Sequence, residues 1–316
     1  MAVELRPEER GVSRPPICSG WRSSQNIALT GLSEVVDTQQ VTRYPYNCRV
    51  CAGDDSVLIT VLMAEYDTEP ELLRDAVRSV LDQTERDFEL LIVDDGSTND
   101  VSAMLRGFQD TRVRVMSYGE NRGLVSALNF GLEHARGVFV ARMDTDDRAE
   151  PDYLARVLQE FAKHPEVAVV SGQAREISSN GQGPVLGRPG EITAVGLMRG
   201  NAPIHPATMF RRDAIKAVGG YPNYRRAEDL ALWSELILAG YRLRMLDGIV
   251  CNYRVEPADY RKRRLRHRMG ELRVRMHYYP RLGAGPREYF RVLISVISGI
   301  VPIPLLRVVR RRIHRA

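Results

Sequence analysis

From Val57 onward, short apolar runs alternate with polar or glycine-rich turns: VLITVL at 57–62, FELLIV at 88–93, VRVM at 113–116, VFVA at 138–141 and VAVV at 167–170. Apolar runs this short, bounded by turn signals, predict buried strands. Between the first two, Leu72, Leu73, Ala76, Val77, Val80 and Leu81 recur at helical spacing, and Thr68 with Glu71 makes a capping-box signal around Pro70. Leu124, Ala127, Leu128, Leu132 and Ala135 mark a second helix, and Tyr153, Leu154, Val157, Leu158 and Phe161 a third that opens with Pro151. Strands linked by helices predict an α/β class with a mostly parallel sheet, whose ligands bind in the crevice beyond the carboxyl ends of the strands.

Three stretches follow from this pattern. Residues 1–54 show no period of 2 or 3.6 and mix Pro, Ser, Gly and charge, as expected of a weakly ordered extension. Residues 55–258 form the α/β body. Residues 259–316 read as an Arg-studded helix, then the apolar run VLISVISGIVPIPLL at 292–306, then Arg307, Arg310, Arg311, Arg312 and Arg315. That run would reach about 22 Å as a helix, short of the roughly 30 Å hydrocarbon layer, and Pro302 and Pro304 interrupt it. It fits a helix lying on a membrane surface, or one packed on the body with a solvated basic face.

The chain has 316 residues, 44% hydrophobic and 27% charged, which excludes a wholly disordered, collagen-like or multi-span membrane protein. Its net charge of +5 hides an asymmetry: residues 254–316 hold 17 Lys and Arg against 4 Asp and Glu, and residues 1–253 hold 28 against 36. So basic a tail suits anionic headgroups or nucleic acid, and the acidic body repels nucleic acid, so membrane is the expected partner and nucleic acid is not. The start MAVELRPEER is acidic with no apolar stretch behind it, so a cytoplasmic location, peripheral on the inner membrane face, is expected. Cys48 and Cys51 form a C-x-x-C pair, for which only Cys18, Cys251 and scattered His could complete a zinc site.

Candidate chemistry sits at predicted strand ends. One run ends in Asp94-Asp95-Gly96-Ser97 and another in Asp144-Thr145-Asp146-Asp147. Two acidic clusters on one sheet edge repel each other unless a divalent cation or hydrogen-bond donors offset the crowding, and hard oxygen ligands favour Mg²⁺ or Mn²⁺ holding a phosphate-bearing ligand. Taken singly, Asp94 and Asp95 also suit a turn with Gly96, and Asp147 a cap for the helix opening at Pro151. No G-x-G-x-x-G follows a strand and no G-x-x-x-x-G-K-[ST] occurs, which removes the main support for a dinucleotide fold or a P-loop ATPase. Glu228 and Asp229 open a helix marked by Leu230, Trp233 and Ile237, where they complement the helix dipole or, kept ionised by it, serve as a general base.

Together, VLITVLMAEYDTEPELLRDAVRSVLDQTERDFELLIVDDGSTND, ENRGLVSALNFGLEHARGVFVARMDTDD, NAPIHPATMFRR and AEDLALWSEL resemble the family 2 glycosyltransferases of the GT-A fold, over residues 57 to about 254. The resemblance implies a nucleotide-sugar donor, most readily a UDP-sugar, a divalent metal, and inverting transfer to a hydroxyl of a glycan or lipid-linked acceptor, in bacterial envelope or capsular polysaccharide biosynthesis. It implies Tyr66 against the base, Asp95 on base or ribose, and Asn121 and Arg122 lining the nucleotide site. Asp144 and Asp146 match the D-x-D motif at ribose and metal, with Asp147 a further ligand. Asp229 matches the general base, Glu228 shapes the acceptor side, and His205 lies in its floor. Ala64, Glu65 and Asp67 depart from the family's usual Pro or Thr, small residue and Asn. Both tryptophans, Trp21 and Trp233, lack the preceding Arg of the processive Q-x-x-R-W signature, so one sugar per encounter is expected. From the residues alone, nucleotidyl transfer onto a sugar phosphate and a non-catalytic donor-binding or membrane scaffold stay open.

Overall fold

The computed structural model describes residues 57–179, 181–255 and 265–297. Ten strands form one sheet: β1 Ile59–Glu65, β2 Phe88–Asp94, β3 Val113–Ser117, β4 Phe139–Arg142, β5 Arg148–Ala149, β6 Val167–Ser178, β7 Gly181–Leu186, β8 Gly190–Ile192, β9 Thr208–Arg211 and β10 Arg242–Arg254. Their order is β3-β2-β1-β4-β9-β6-β10-β5, with β7 beside β6 and β8 beside β10. The block β3-β2-β1-β4 is parallel, as the βα alternation predicts. Beyond it β9 runs antiparallel to both β4 and β6, while β6 and β10 again run with the block, so the sheet is mostly parallel as expected and departs from that at β9 set inside it. The source of the difference is TMFR at 208–211, a four-residue strand too short to announce itself by periodicity.

Nine helices accompany the sheet among the described residues: α1 Pro70–Leu81, α2 Val101–Leu105, α3 Leu124–His134, α4 Tyr153–Lys163, α5 Ala194–Met198, α6 Arg212–Ala217, α7 Glu228–Leu238, α8 Leu265–Tyr278 and α9 Pro286–Ile297. Pro70 starts α1 because its missing N–H costs nothing in a first turn. Strand alternation divides the core. Leu62, Leu91, Val93 and Val140 pack with Ala127, Leu128 and Leu132 of α3 and Leu232, Trp233 and Leu236 of α7. Phe139 points to the opposite face and meets Phe161 of α4 at 4.7 Å between ring centres. There Gln83, just past α1, is buried and accepts from Leu154 N–H at 3.0 Å, tying α1 to α4.

The C-terminal helices pack on this body. Val274 and Tyr278 of α8 join Ala231 of α7, and Val292 of α9 joins Tyr279 and Met198. Residues 1–54, the C-x-x-C pair and the Arg-rich stretch after 297 lie outside the described residues.

Candidate active site

The carboxyl ends of β2, β1 and β4 lie side by side, so the turns leaving them share one edge of the sheet. Hydrogen bonds knit those turns together. Thr68 N–H donates to Glu65 Oε1 at 2.8 Å, and the Thr68 and Thr145 hydroxyls share a bond of 2.7 Å. Thr68 thereby clamps the first turn to the third, and the capping box expected with Glu71 does not form: Glu69 occupies the cap position without a side-chain bond. Asp67 sits at φ 50° and accepts from Thr98 N–H at 2.7 Å and Thr98 Oγ1 at 2.8 Å. Those bonds hold its carboxyl below the usual range and offset the cost of its left-handed backbone. Tyr66 beside it is an exposed aromatic, 51% accessible.

The two carboxylates after β2 differ. Asp94 accepts from Ser97 N–H at 2.8 Å, which folds the chain over Gly96. Asp95 is buried, and its carboxylate accepts from the Tyr118 hydroxyl, Arg122 N–H at 2.8 Å and Gly123 N–H at 2.9 Å. Three protein donors meet this carboxylate, as a desolvated carboxylate requires, and through them it fastens Asn121–Gly123 to the sheet edge. Gly96 permits that approach, since at φ +75° an added Cβ would lie 2.4 Å from the Glu120 carbonyl carbon. Asn121 and Arg122 are exposed. The Arg122 guanidinium pairs with Glu120 at 2.8 Å and lies 4.7 Å from the Tyr118 ring centre, so it too has partners within the chain.

At the end of β4, Arg142 is 1% exposed; its Nη2 donates to Asp144, while Nε and Nη1 have no protein partner. So buried a guanidinium is tolerable because Asp144, Asp147 and Glu228 act on it electrostatically. Burial raises the Asp146 carboxyl, with the Asp144 charge adding to the effect, and the same two causes push Asp147 far above the usual range. Asp147 faces β10, where it accepts from Arg254 N–H at 2.7 Å and lies 4.0 Å from Cys251 Sγ. It does not cap a helix, since α4 starts two residues after Pro151, and its Oδ2 has only the Cys251 thiol at 4.0 Å beside it.

The acidic pair of α7 meets this edge. Ala227, at φ 58°, turns the chain just before the helix, and the charge of Asp144 acts on both Glu228 and Asp229. Burial, then the Asp229 charge, pushes Glu228 up to about 7. Burial also raises Asp229, against a bond from Leu230 N–H at 2.7 Å. Behind the pair, His205 is enclosed, its Nε2 2.8 Å from the Tyr221 hydroxyl and its ring 6.1 Å from that of Trp233. Burial lowers its pKa well below the ordinary value, so the imidazole is neutral and serves as floor.

Sequence reasoning missed Arg142 and Tyr221 and met Glu65 only as a departure. Glu65 is 1% exposed, raised by burial, with Oε2 unpartnered. A charged residue closing an apolar strand was the available signal for Arg142. Among the described residues no three His, Cys, Asp or Glu side chains converge as a metal cage. Asp144 and Asp146 do offer two crowded hard-oxygen donors, which fits a cation that completes its shell with diphosphate oxygens.

The chain is similar to known proteins in sequence and in fold. The family model "Glycosyl transferase family 2" matches residues 56–219. The UDP-Gal:alpha-D-GlcNAc-diphosphoundecaprenol beta-1,3-galactosyltransferase of Escherichia coli is 26% identical over 255 residues, 78% of this chain and 92% of that protein. Among solved structures, the mannosyltransferase PcManGT from Pyrobaculum calidifontis, in complex with GDP-Man and Mn²⁺, superposes with TM-score 0.56 at 19% identity, over 84% of this chain and 82% of that one. S. aureus TarS 1–349 with UDP-GlcNAc gives TM-score 0.55 at 20% identity over 63% of this chain, which spans 59% of that chain's length.

Proposed function

The chain belongs to glycosyl transferase family 2 and is a glycosyltransferase of GT-A fold, and on that premise we propose that it transfers one sugar per encounter from a nucleoside-diphospho-sugar to a hydroxyl of a glycan or lipid-linked glycan, inverting the anomeric carbon in a single displacement. Nucleotidyl transfer and a non-catalytic scaffold fall away with that membership. The observation carrying the reading is geometric: the carboxyl ends of β1, β2 and β4 share one edge, where Asp144 pairs with buried Arg142, and α7, which opens with Glu228 and Asp229, packs its Leu232 and Trp233 in one core with Leu62 and Val140 of those strands.

In this reading Asp229 takes the acceptor hydroxyl proton as that oxygen forms its bond to the anomeric carbon and the bond to the diphosphate oxygen breaks. Burial brings its basicity closer to neutral pH, where a general base works best. Glu228 shapes the acceptor side. Tyr66 offers a face for the base, while Asp95 acts through the Asn121–Arg122 wall it fastens. Arg142 is a fixed positive charge between the carboxylate groups that moderates their repulsion. A Mn²⁺ or Mg²⁺ ion at Asp144 and Asp146 would supply the charge that stabilises the departing diphosphate. Asp147, which also accepts from Arg254 N–H of β10, would be a further ligand to that ion.

A UDP-sugar is the favoured donor, since the E. coli relative is named for UDP-Gal; a GDP-sugar is the competitor, since PcManGT was solved with GDP-Man. The diphosphoundecaprenol in that relative's name supports a lipid-linked acceptor, bacterial polysaccharide biosynthesis, and a reaction in the cytoplasm at the inner membrane face. Residues 55–258 would form the catalytic domain and 259–316 a membrane-surface region. A thermal-shift screen of UDP-, GDP- and dTDP-sugars with Mn²⁺ identifies the donor. Proton NMR of the product should then show inverted configuration; retention would refute single displacement.

A further inference from the structure

Helix α9 is two-faced in a way the chemistry above does not use. Inward, Glu288 is 6% exposed and pairs with Arg199 at 2.9 Å, and Val292 packs against Tyr279 and Met198. Outward, Phe290, Leu293 and Ile294 are 62%, 54% and 50% exposed, with Arg287 and Arg291 exposed beside them. Positions 287, 290, 291 and 294 follow the i, i+3, i+4, i+7 spacing of one helical stripe. Large apolar side chains are thus held in water on a helix whose other face is pinned, an arrangement that marks an interaction surface.

We propose that the outer face of α9 docks on an anionic lipid surface. Charge selects this occupant. Residues 254–316 carry 17 Lys and Arg against 4 Asp and Glu, so a second copy would bring like charge to the same face, whereas anionic headgroups complement it. The apolar run 292–306 would reach about 22 Å as a helix, short of the roughly 30 Å hydrocarbon layer, and Pro302 and Pro304 interrupt it, so a flat-lying α9 puts Phe290, Leu293 and Ile294 in the interface and the arginines at the headgroups.

Docking also orients the enzyme. Val274 and Tyr278 of α8 pack on Ala231, two residues past Asp229, and Arg281 pairs with Glu235 at 3.3 Å, so the lipid face is fixed relative to the helix bearing Glu228 and Asp229. That orientation rests on the proposed reaction; the docking itself does not.

The test is co-sedimentation of the full chain, without substrate, with vesicles of phosphatidylcholine alone or mixed with phosphatidylglycerol. The wild type should partition onto the anionic vesicles only. Phe290→Glu with Ile294→Glu, and separately Arg287→Glu with Arg291→Glu, should each lower partition at least about tenfold. Transfer to a short water-soluble acceptor should stay unchanged in both, so a failure of the glycosyltransfer reading shows separately. Should a variant misfold, Leu293→Trp reports instead: its emission should shift to the blue with anionic vesicles relative to wild type. Equal partition of wild type and the Phe290/Ile294 variant, no blue shift, or a dimer in sedimentation equilibrium that the same variant dissociates would each overturn the proposal.

Discussion

In the proposed reading the crevice has a donor side and an acceptor side, and the two are built differently. The donor side stands on the parallel block β3-β2-β1-β4, whose turns are stitched by Thr68 to Thr145, Asp67 to Thr98 and Asp95 to Gly123. The acceptor side stands on antiparallel β9, a left-handed Ala227 and a helix backed by α8, and its Glu228-Asp229 pair falls beyond the family match that ends at 219. One side is locked by its own hydrogen bonds, the other positioned by neighbours. The difference teaches that donor binding and proton removal are separable, and the following experiments try to separate them.

The largest effect is expected at Asp229. Asp229→Asn should cut turnover about 10³-fold, the range of a lost general base, with donor affinity unchanged in calorimetry. Turnover within tenfold of wild type would take the acceptor side out of the chemistry. Asp146→Asn should do the converse, weakening Mn²⁺-dependent binding of the donor at least about tenfold, or about 1.4 kcal/mol, with the acceptor KM unmoved. Equal affinity of wild type and variant with Mn²⁺ would contradict the assignment.

Gly96→Ala forces a Cβ to 2.4 Å from the Glu120 backbone at a positive φ, and should cost about 2 kcal/mol in a urea melt while raising the donor KM alone. If the acceptor KM rises equally, the two sides are not independent.

The smallest effect is a pH shift. Because burial raises the Asp229 carboxyl, the rate should fall with pH on a limb lying above the ordinary aspartate range, and a limb at the ordinary value would contradict its role as the base. For stability the sign is opposite. A carboxyl raised in the folded state stabilises fully below its unfolded value of 4.5 and loses that contribution as pH rises through about 7, so the melting temperature of Glu228→Gln should fall less than wild type between pH 5 and 8. Parallel melting curves would remove the perturbed Glu228.

Much of the donor side was legible because its signals are local. Apolar runs ending in Asp94-Asp95 and Asp144-Thr145-Asp146 mark strand ends by themselves, and the spacing of Leu73, Ala76, Val77 and Val80 marks α1. The roles of individual carboxylates were not legible. That Asp95 also holds the start of α3 and Asp147 also holds β10 could not be read from the chain, because the donors that meet them, Gly123 N–H and Arg254 N–H, arrive only with the fold.

The chain alone therefore determined the strand–helix alternation, the family and the acidic stretches that belong at a sheet edge, since periodicity and turn chemistry act over a few residues. Only the tertiary structure decided that β9 enters the sheet antiparallel between β4 and β6, that Arg142 is walled in among carboxylates, that Glu228 and Asp229 come under the charge of Asp144, and that Phe290 and Ile294 face outward. Those outcomes depend on desolvation and on charges brought near from distant segments, quantities that do not exist until the chain has packed.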